Sequence, residues 1–181
     1  MMDDPDADLV EGIASGDPQA MRKMVAAKLP RILLVATRML GDKGEAEDVA
    51  QETFLRIWKH AGGWRQGRAK FDTWAHRVVL NLCYDRLRRR RDILVAEAPE
   101  MVDHGPLPDA GLLSDDRDGE TVQRALQSLA PRQREAIILV YYQDMSNRDA
   151  ADVMQIKVDA LESLLARGRR TLRVILNGEM T

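Results

Sequence analysis

Ser146-Asn147-Arg148-Asp149-Ala150-Ala151-Asp152-Val153-Met154-Gln155-Ile156-Lys157-Val158-Asp159-Ala160-Leu161-Glu162-Ser163-Leu164-Leu165-Ala166-Arg167 decides how the C-terminal third folds. Ser146 and Asp149 have capping-box spacing, which starts a short helix ending near Met154. A turn follows at Gln155 to Lys157, and a longer helix runs from Val158 to about Leu176. Small Ala151 lets two helices cross closely, and Ala150, Met154, Ile156, Leu161 and Leu164 supply the apolar offsets for packing at a steep angle. These features make a helix-turn-helix. Its second helix presents Asp159, Ala160, Glu162, Ser163, Arg167 and Arg170 outward, suited to a major groove, with Lys157 at the turn. Arg148 at the start of the first helix is placed to hold a phosphate. Gln155 stands where such turns favour glycine. A left-handed conformation there costs on the order of 1 kcal/mol. A plain helical hairpin with a charged face is the alternative reading.

Helical signals continue upstream. The chain has 181 residues, 45% hydrophobic, 31% charged and only 4% aromatic, a balance that favours helix over sheet. Pro131 suits a first turn, and a helix before it spans about Glu120 to Leu129. In the N-terminal half, Asp17-Pro18 opens a helix that Gly41 closes, with a break or kink expected at Pro30. Asp42 and Glu45 cap a helix running to about His60, ended by Gly62-Gly63. Another runs from about Asp72 to Arg91. Between Asp92 and Gly119 no helical period survives, and Pro99, Pro106, Pro108, Gly105 and Gly111 read as a flexible acidic linker or, less economically, an ordered surface loop. The expected fold is all-α: an N-terminal domain over 1–91, a linker over 92–119 and a C-terminal domain over 120–181.

Charge is unevenly spread although the net charge is only −2. Residues 61–91 carry 9 basic and 2 acidic side chains; residues 92–120 carry 1 and 9. A basic block beside an acidic one points to a polyanionic partner. Within the basic block, Arg77, Asn81, Tyr84, Arg88 and Arg91 share one helical face, with Trp74, Val78, Leu82 and Leu87 toward an apolar side. The preceding loop, Gly62-Gly63-Trp64-Arg65-Gln66-Gly67-Arg68-Ala69-Lys70-Phe71, mixes cations with aromatics. Cations suit phosphates and aromatics suit unpaired bases. Core packing of the aromatics and a solvated Arg88–Arg91 helix end are the alternatives. On the acidic helix, Ala46, Val49, Ala50, Phe54, Ile57 and Trp58 form the expected buried side. Asp48, Gln51, Glu52, Leu55 and Lys59 face outward, with Leu55 a docking point for a protein.

Cys83 is the only cysteine, the N-terminus is acidic, and no apolar run reaches membrane-spanning length. These features point to a reducing cytoplasm. His60, His76, His104 and Cys83 complete no metal or nucleophile pattern, so no cofactor and no enzyme activity are expected.

Three segments resemble the extracytoplasmic-function sigma factors of bacterial RNA polymerase. Gly44 to Trp58 is similar to their polymerase-binding helix, Phe71 to Asn81 to their minus-ten segment, and Leu129 to Ala136 to the start of their C-terminal domain. The resemblance implies core RNA polymerase and promoter DNA as partners, in a stress or envelope response under an anti-sigma factor. Asp48, Gln51, Glu52 and Leu55 would meet the polymerase clamp. Asn81 and the loop, with Trp64, Arg65, Arg68, Lys70 and Phe71, would capture a minus-ten base, and Arg77, Arg88 and Arg89 would hold phosphates. Arg148, Ser163 and Arg167 would serve the minus-thirty-five element. The acidic linker would thread toward the polymerase channel as a nucleic-acid mimic. Many members carry basic residues at the positions of Glu162 and Leu164. Here Glu162 is suited instead to accept from cytosine. A conventional helix-turn-helix regulator of duplex DNA, which would leave the acidic helix and basic loop unexplained, and a purely protein-binding helical module are the rival readings.

Overall fold

The computed structural model describes residues 4–64, 69–97 and 117–179. The described residues form eight α-helices and no strand: α1 (Ala7–Ala14), α2 (Pro18–Leu40), α3 (Lys43–His60), α4 (Phe71–Glu97), α5 (Arg117–Gln127), α6 (Pro131–Ile137), α7 (Asn147–Met154) and α8 (Val158–Glu179). The segment expected to be a flexible linker lies largely outside the described residues.

Local chemistry sets most boundaries. Asp17 accepts from the Gln19 amide at 2.9 Å, with Pro18 in the first turn of α2. Asp42 accepts from the Glu45 amide at 2.8 Å to open α3. Helix α2 does not end at Pro30 but continues to Leu40. Its long apolar face, including Met24, Ile32, Val35 and Met39, is buried on both sides of the proline. That burial outweighs the roughly 3 kcal/mol cost of an interior proline. Gly41 then stops the helix at φ +67°, a conformation that glycine adopts freely. Past α6, Ile138–Tyr142 forms one wide π-helical turn instead of extending the α-helix.

Helices α1 to α4 enclose Val35, Met39, Val49, Ile57, Val79 and Cys83, all fully buried. Helices α5 to α8 enclose Ala125, Leu126, Ile138, Leu139, Ala150 and Leu161. The two halves, read from sequence as separate domains on a linker, pack against one another. Arg134, 5% exposed, sits at the joint. Its guanidinium donates to the carbonyls of Leu126 (2.8 Å), Gln127 (2.8 Å) and Leu129 (3.1 Å) at the end of α5, and to the Met39 carbonyl of α2 (2.5 Å). A cation at helix C-termini is well placed against their partial negative charge.

Candidate nucleic-acid interface

Helix α4 is anchored from the chain's first described residues. Asp4, nearly buried, accepts from the Phe71 amide at 2.5 Å, satisfying a first-turn donor that the helix itself cannot. Lys28 bridges Asp6 at 2.6 Å and Asp72 at 2.9 Å. Burial works against the Lys28 charge, but hydrogen bonds and attraction from Asp6 and Asp72 raise its pKa on balance. Asp72 is likewise disfavoured by burial, yet the His76 imidazole, Lys28 and Arg31 hold its carboxyl below the ordinary range. The acids just before α1 thus tie it, directly and through Lys28 of α2, to the start of α4.

The expected base-reading loop is split by the structure. Phe71 is fully buried, with Trp64 edge-on at 5.9 Å and Trp74 at 5.5 Å. Its ring is a packing element with no face open to a base. Trp64 is half-buried, Lys70 is exposed, and Arg65 and Arg68 lie outside the described residues. Along α4 the inner stripe is Ala75, Val79, Leu82 and Cys83, while Trp74 and Val78, expected on the apolar side, line a cleft against the C-terminal half. Burial pushes the Cys83 thiol up to about 12, so it stays protonated at neutral pH.

The face picked out by the spacing of Arg77, Asn81 and Tyr84 is the face that the C-terminal half covers. Arg77 donates to the Asp152 carbonyl at 2.5 Å, and its Nε is buried without a hydrogen-bond partner. The Tyr84 hydroxyl donates to Glu135 at 2.5 Å, and Arg132 meets the same carboxylate at 2.9 Å. Burial raises the pKa of both Tyr84 and Glu135. Asn81 remains exposed at the mouth of this cleft of about 290 Å³. Farther along, Arg88 pairs with Asp85 at 2.5 Å and Arg89 is exposed. Arg90 turns inward to the Leu40 carbonyl (2.8 Å) and Glu45, closing the end of α2. One member of the arginine run is therefore structural.

Helix α3 displays Asp48, Gln51 and Leu55 outward, while Glu52, half-buried, pairs with Arg56 at 2.8 Å. Trp58 was expected in the core, but it and Leu55 are each 62% exposed. At about 100° per residue Trp58 falls well off the axis through Ala46, Ala50, Thr53 and Ile57, so its angular position carried the signal.

The helix-turn-helix forms as its caps dictate. Ser146 accepts from the Asp149 amide at 3.1 Å and donates to its carboxylate at 2.7 Å. Gln155 adopts the left-handed conformation at φ +56° and lets the Ile156 amide reach back to the Ala151 carbonyl at 3.0 Å. Ala150, Ala151, Val153, Met154, Leu161 and Leu165 are buried, with Leu164 only partly so. Arg148, Lys157, Asp159, Ala160, Glu162, Ser163, Arg167 and Arg170 are all exposed. Asn147 donates to Glu162 at 3.3 Å, which orients that carboxylate.

Among the described residues no His, Cys, Asp and Glu side chains converge as a metal site, and no helix is long and apolar enough to cross a membrane. His76 faces the Asp72 carbonyl with Nδ1 (2.7 Å) and Gln143 with Nε2 (3.2 Å), a packing role between the two halves.

Two family models match the chain, Sigma-70 region 2 over residues 24–93 and Sigma-70 region 4 over residues 119–172. The RNA polymerase sigma-H factor of Pseudomonas aeruginosa is 32% identical over 178 residues, covering 92% of this chain and 91% of that protein. ECF RNA polymerase sigma factor SigW of Bacillus subtilis is 29% identical over 91% of this chain and 92% of its own length. SigE of Mycolicibacterium smegmatis is 33% identical over 88% of this chain, which spans 64% of that longer protein. Among solved structures, CnrH in complex with the cytosolic domain of CnrY superposes with a TM-score of 0.72 at 26% identity, covering 97% of this chain and 99% of that one. The sigma factor RpoE, in complex with the anti-sigma factor NepR from Bartonella quintana, shares the fold at TM-score 0.69 and 22% identity, over 86% of this chain and 96% of that one. With a region 2 formed by α2 to α4 and a region 4 formed by α5 to α8, the chain belongs to the extracytoplasmic-function sigma factors of bacterial RNA polymerase.

Proposed function

We propose that this chain confers promoter selectivity on core RNA polymerase through three surfaces. Leu55 and Trp58, rimmed by Asp48, Gln51 and Glu52 on α3, dock on the polymerase. An apolar pair with a charged rim is the usual anatomy of a protein interface. Asn81, with Lys70 and the segment preceding α4, captures an unpaired minus-ten base, while Arg77, Arg88 and Arg89 hold phosphates of the opened strand. Helix α8 enters the major groove of the minus-thirty-five element, with Glu162 and Ser163 toward base edges and Arg148, Lys157, Arg167 and Arg170 toward phosphates. The chain contributes recognition and no catalysis, acts in the cytoplasm and needs no cofactor.

The observation that carries this reading is the outward display of an intact helix-turn-helix in a chain that also carries a basic region 2 helix. A regulator of duplex DNA would need only the first of these. We further propose control by an anti-sigma protein, as the partners named for CnrH and RpoE suggest.

Run-off transcription on a genomic promoter library, with purified core polymerase and this protein, tests the reading. New transcripts sharing two upstream elements are expected. No transcripts, together with no stable complex with core polymerase, would leave a conventional duplex-binding regulator.

A further inference from the structure

We propose that Asn147 is a positioning residue for sequence readout: it holds the Glu162 carboxylate in place to accept from the amino group of a cytosine in the minus-thirty-five element. This deepens the assignment of α8 to that element and rests on it.

The leading outward face of α8 offers acceptors. Asp159, Glu162 and Ser163 stand three and four residues apart, so they share one face, and all three are exposed. Ser163 donates its one hydroxyl proton to the Asp159 carbonyl at 3.0 Å, which leaves it only lone pairs to offer a base. An ionised Glu162 accepts and cannot donate. In the major groove the donors are exocyclic amines, cytosine N4 and adenine N6. Adenine carries the acceptor N7 beside its amine, which repels a carboxylate, so cytosine is the fitting partner of Glu162.

The pairing positions along α8 do not neutralise this carboxylate. The residues three and four away are Val158, Asp159, Leu165 and Ala166, none of them basic. Asp159 adds like-charge repulsion. An exposed acid brought among phosphates weakens DNA binding unless a base donor meets it. Its anchor comes from the other helix of the motif. Asn147, half-buried in the first turn of α7, donates from Nδ2 to Glu162 Oε1 at 3.3 Å, and Oε2 is left for a base. Glutamate has much rotamer freedom to lose, so a carboxylate ordered before DNA arrives loses less on binding. A 3.3 Å bond at the surface contributes little to folding, so its consequence lies in where the carboxylate points.

The test is a promoter selection with core polymerase and the full chain, with both elements of the promoter randomised. The wild type should favour cytosine roughly ten-fold over the other bases at one position of one upstream strand. E162A should abolish that preference. N147A should cut it to about three-fold, and N147Q, which keeps an amide donor, should restore most of it. E162Q should move the preference from cytosine to adenine, because glutamine pairs with N6 and N7 together. In N147A the other upstream positions and the downstream element should keep wild-type preferences, and the urea midpoint should be that of the wild type. A merely structural Asn147 would instead lower the midpoint and weaken all upstream positions together, and that result would overturn the proposal. So would an N147A variant that selects as the wild type does, or a cytosine preference that is absent from the wild type or survives E162A. A wild type that yields no transcripts with core polymerase would defeat the sigma-factor reading, and this proposal with it.

Discussion

Helices α4 and α8 are both arginine-bearing and both read as nucleic-acid helices, yet they end in opposite environments. Helix α8 displays Glu162, Ser163, Arg167 and Arg170 to solvent. Helix α4 turns Arg77 and Tyr84 into the joint with region 4 and Arg90 into the end of α2. Composition alone therefore does not separate a cation that awaits DNA from one that holds the fold. Burial of the guanidinium among the carbonyls of other helices, as at Arg134, does.

The sharpest way to break this contrast is to remove one arginine of each kind. Arg134→Ala deletes donors to Leu126, Gln127, Leu129 and Met39 and leaves those buried carbonyls unmet. A loss of about 3–5 kcal/mol in urea unfolding is expected. Arg167→Ala, on exposed α8, should leave the unfolding midpoint within experimental error. Equal stability losses in the two variants would erase the distinction.

Trp58→Ala should weaken the complex with core polymerase by about 2 kcal/mol, roughly thirty-fold, with no change in melting temperature. A titration of labelled polymerase measures it. A large loss of thermal stability instead would mean that Trp58 packs in the core after all. Arg167→Ala should weaken binding to a minus-thirty-five duplex by about 1–2 kcal/mol, and a shallower salt dependence should accompany the loss of one phosphate contact.

Acid titration sets the two regions against each other. The Asp72 carboxyl is held below its ordinary value, so its stabilisation is present above that value and disappears as pH falls through the lowered one. Glu135 is raised by burial, so the folded state binds its proton more tightly, and this contribution grows as pH falls. Stability measured from about pH 6 down to 3 should thus respond to the two groups in opposite senses. Asp72→Asn should flatten the acid-side loss and Glu135→Gln should steepen it. Parallel curves would contradict the assigned environments. On the alkaline side, Lys28 is raised, so its contribution is complete below 10.5 and is lost above it.

The smallest effect expected is Ser146→Ala, about 1 kcal/mol, from loss of the Asp149 amide partner at the start of α7. Because α7 supports α8, duplex binding should fall by a similar factor.

How legible each part was in the sequence follows from the range of the interactions that decide it. Caps at Asp17, Asp42 and Ser146, the stop at Gly41 and the left-handed turn at Gln155 act over two to four residues, and spacing alone located them. The exposed face of α8 followed from the same periodicity. Asp4 bonding the Phe71 amide, Arg90 closing α2 and Arg134 closing α5 and α2 link residues far apart in the chain, and no local pattern records them. Phe71 stands beside cations as a base platform would, and only the fold shows its ring to be buried. Trp58 is hydrophobic enough for the core, but its angular position on α3 places it outside. The closure of region 4 on α4 was hidden because Arg77, Asn81 and Tyr84 form a coherent polar face for either partner.

The most direct measurement is a promoter-library selection at base-pair resolution, using core polymerase with the wild-type chain, Asn81→Ala and Glu162→Ala. Asn81→Ala is expected to relax sequence preference in the downstream element alone, and Glu162→Ala in the upstream element alone. Asn81→Ala and Glu162→Ala both altering the same element, or neither altering any, would contradict the assignment of α4 and α8 to two separate promoter sites.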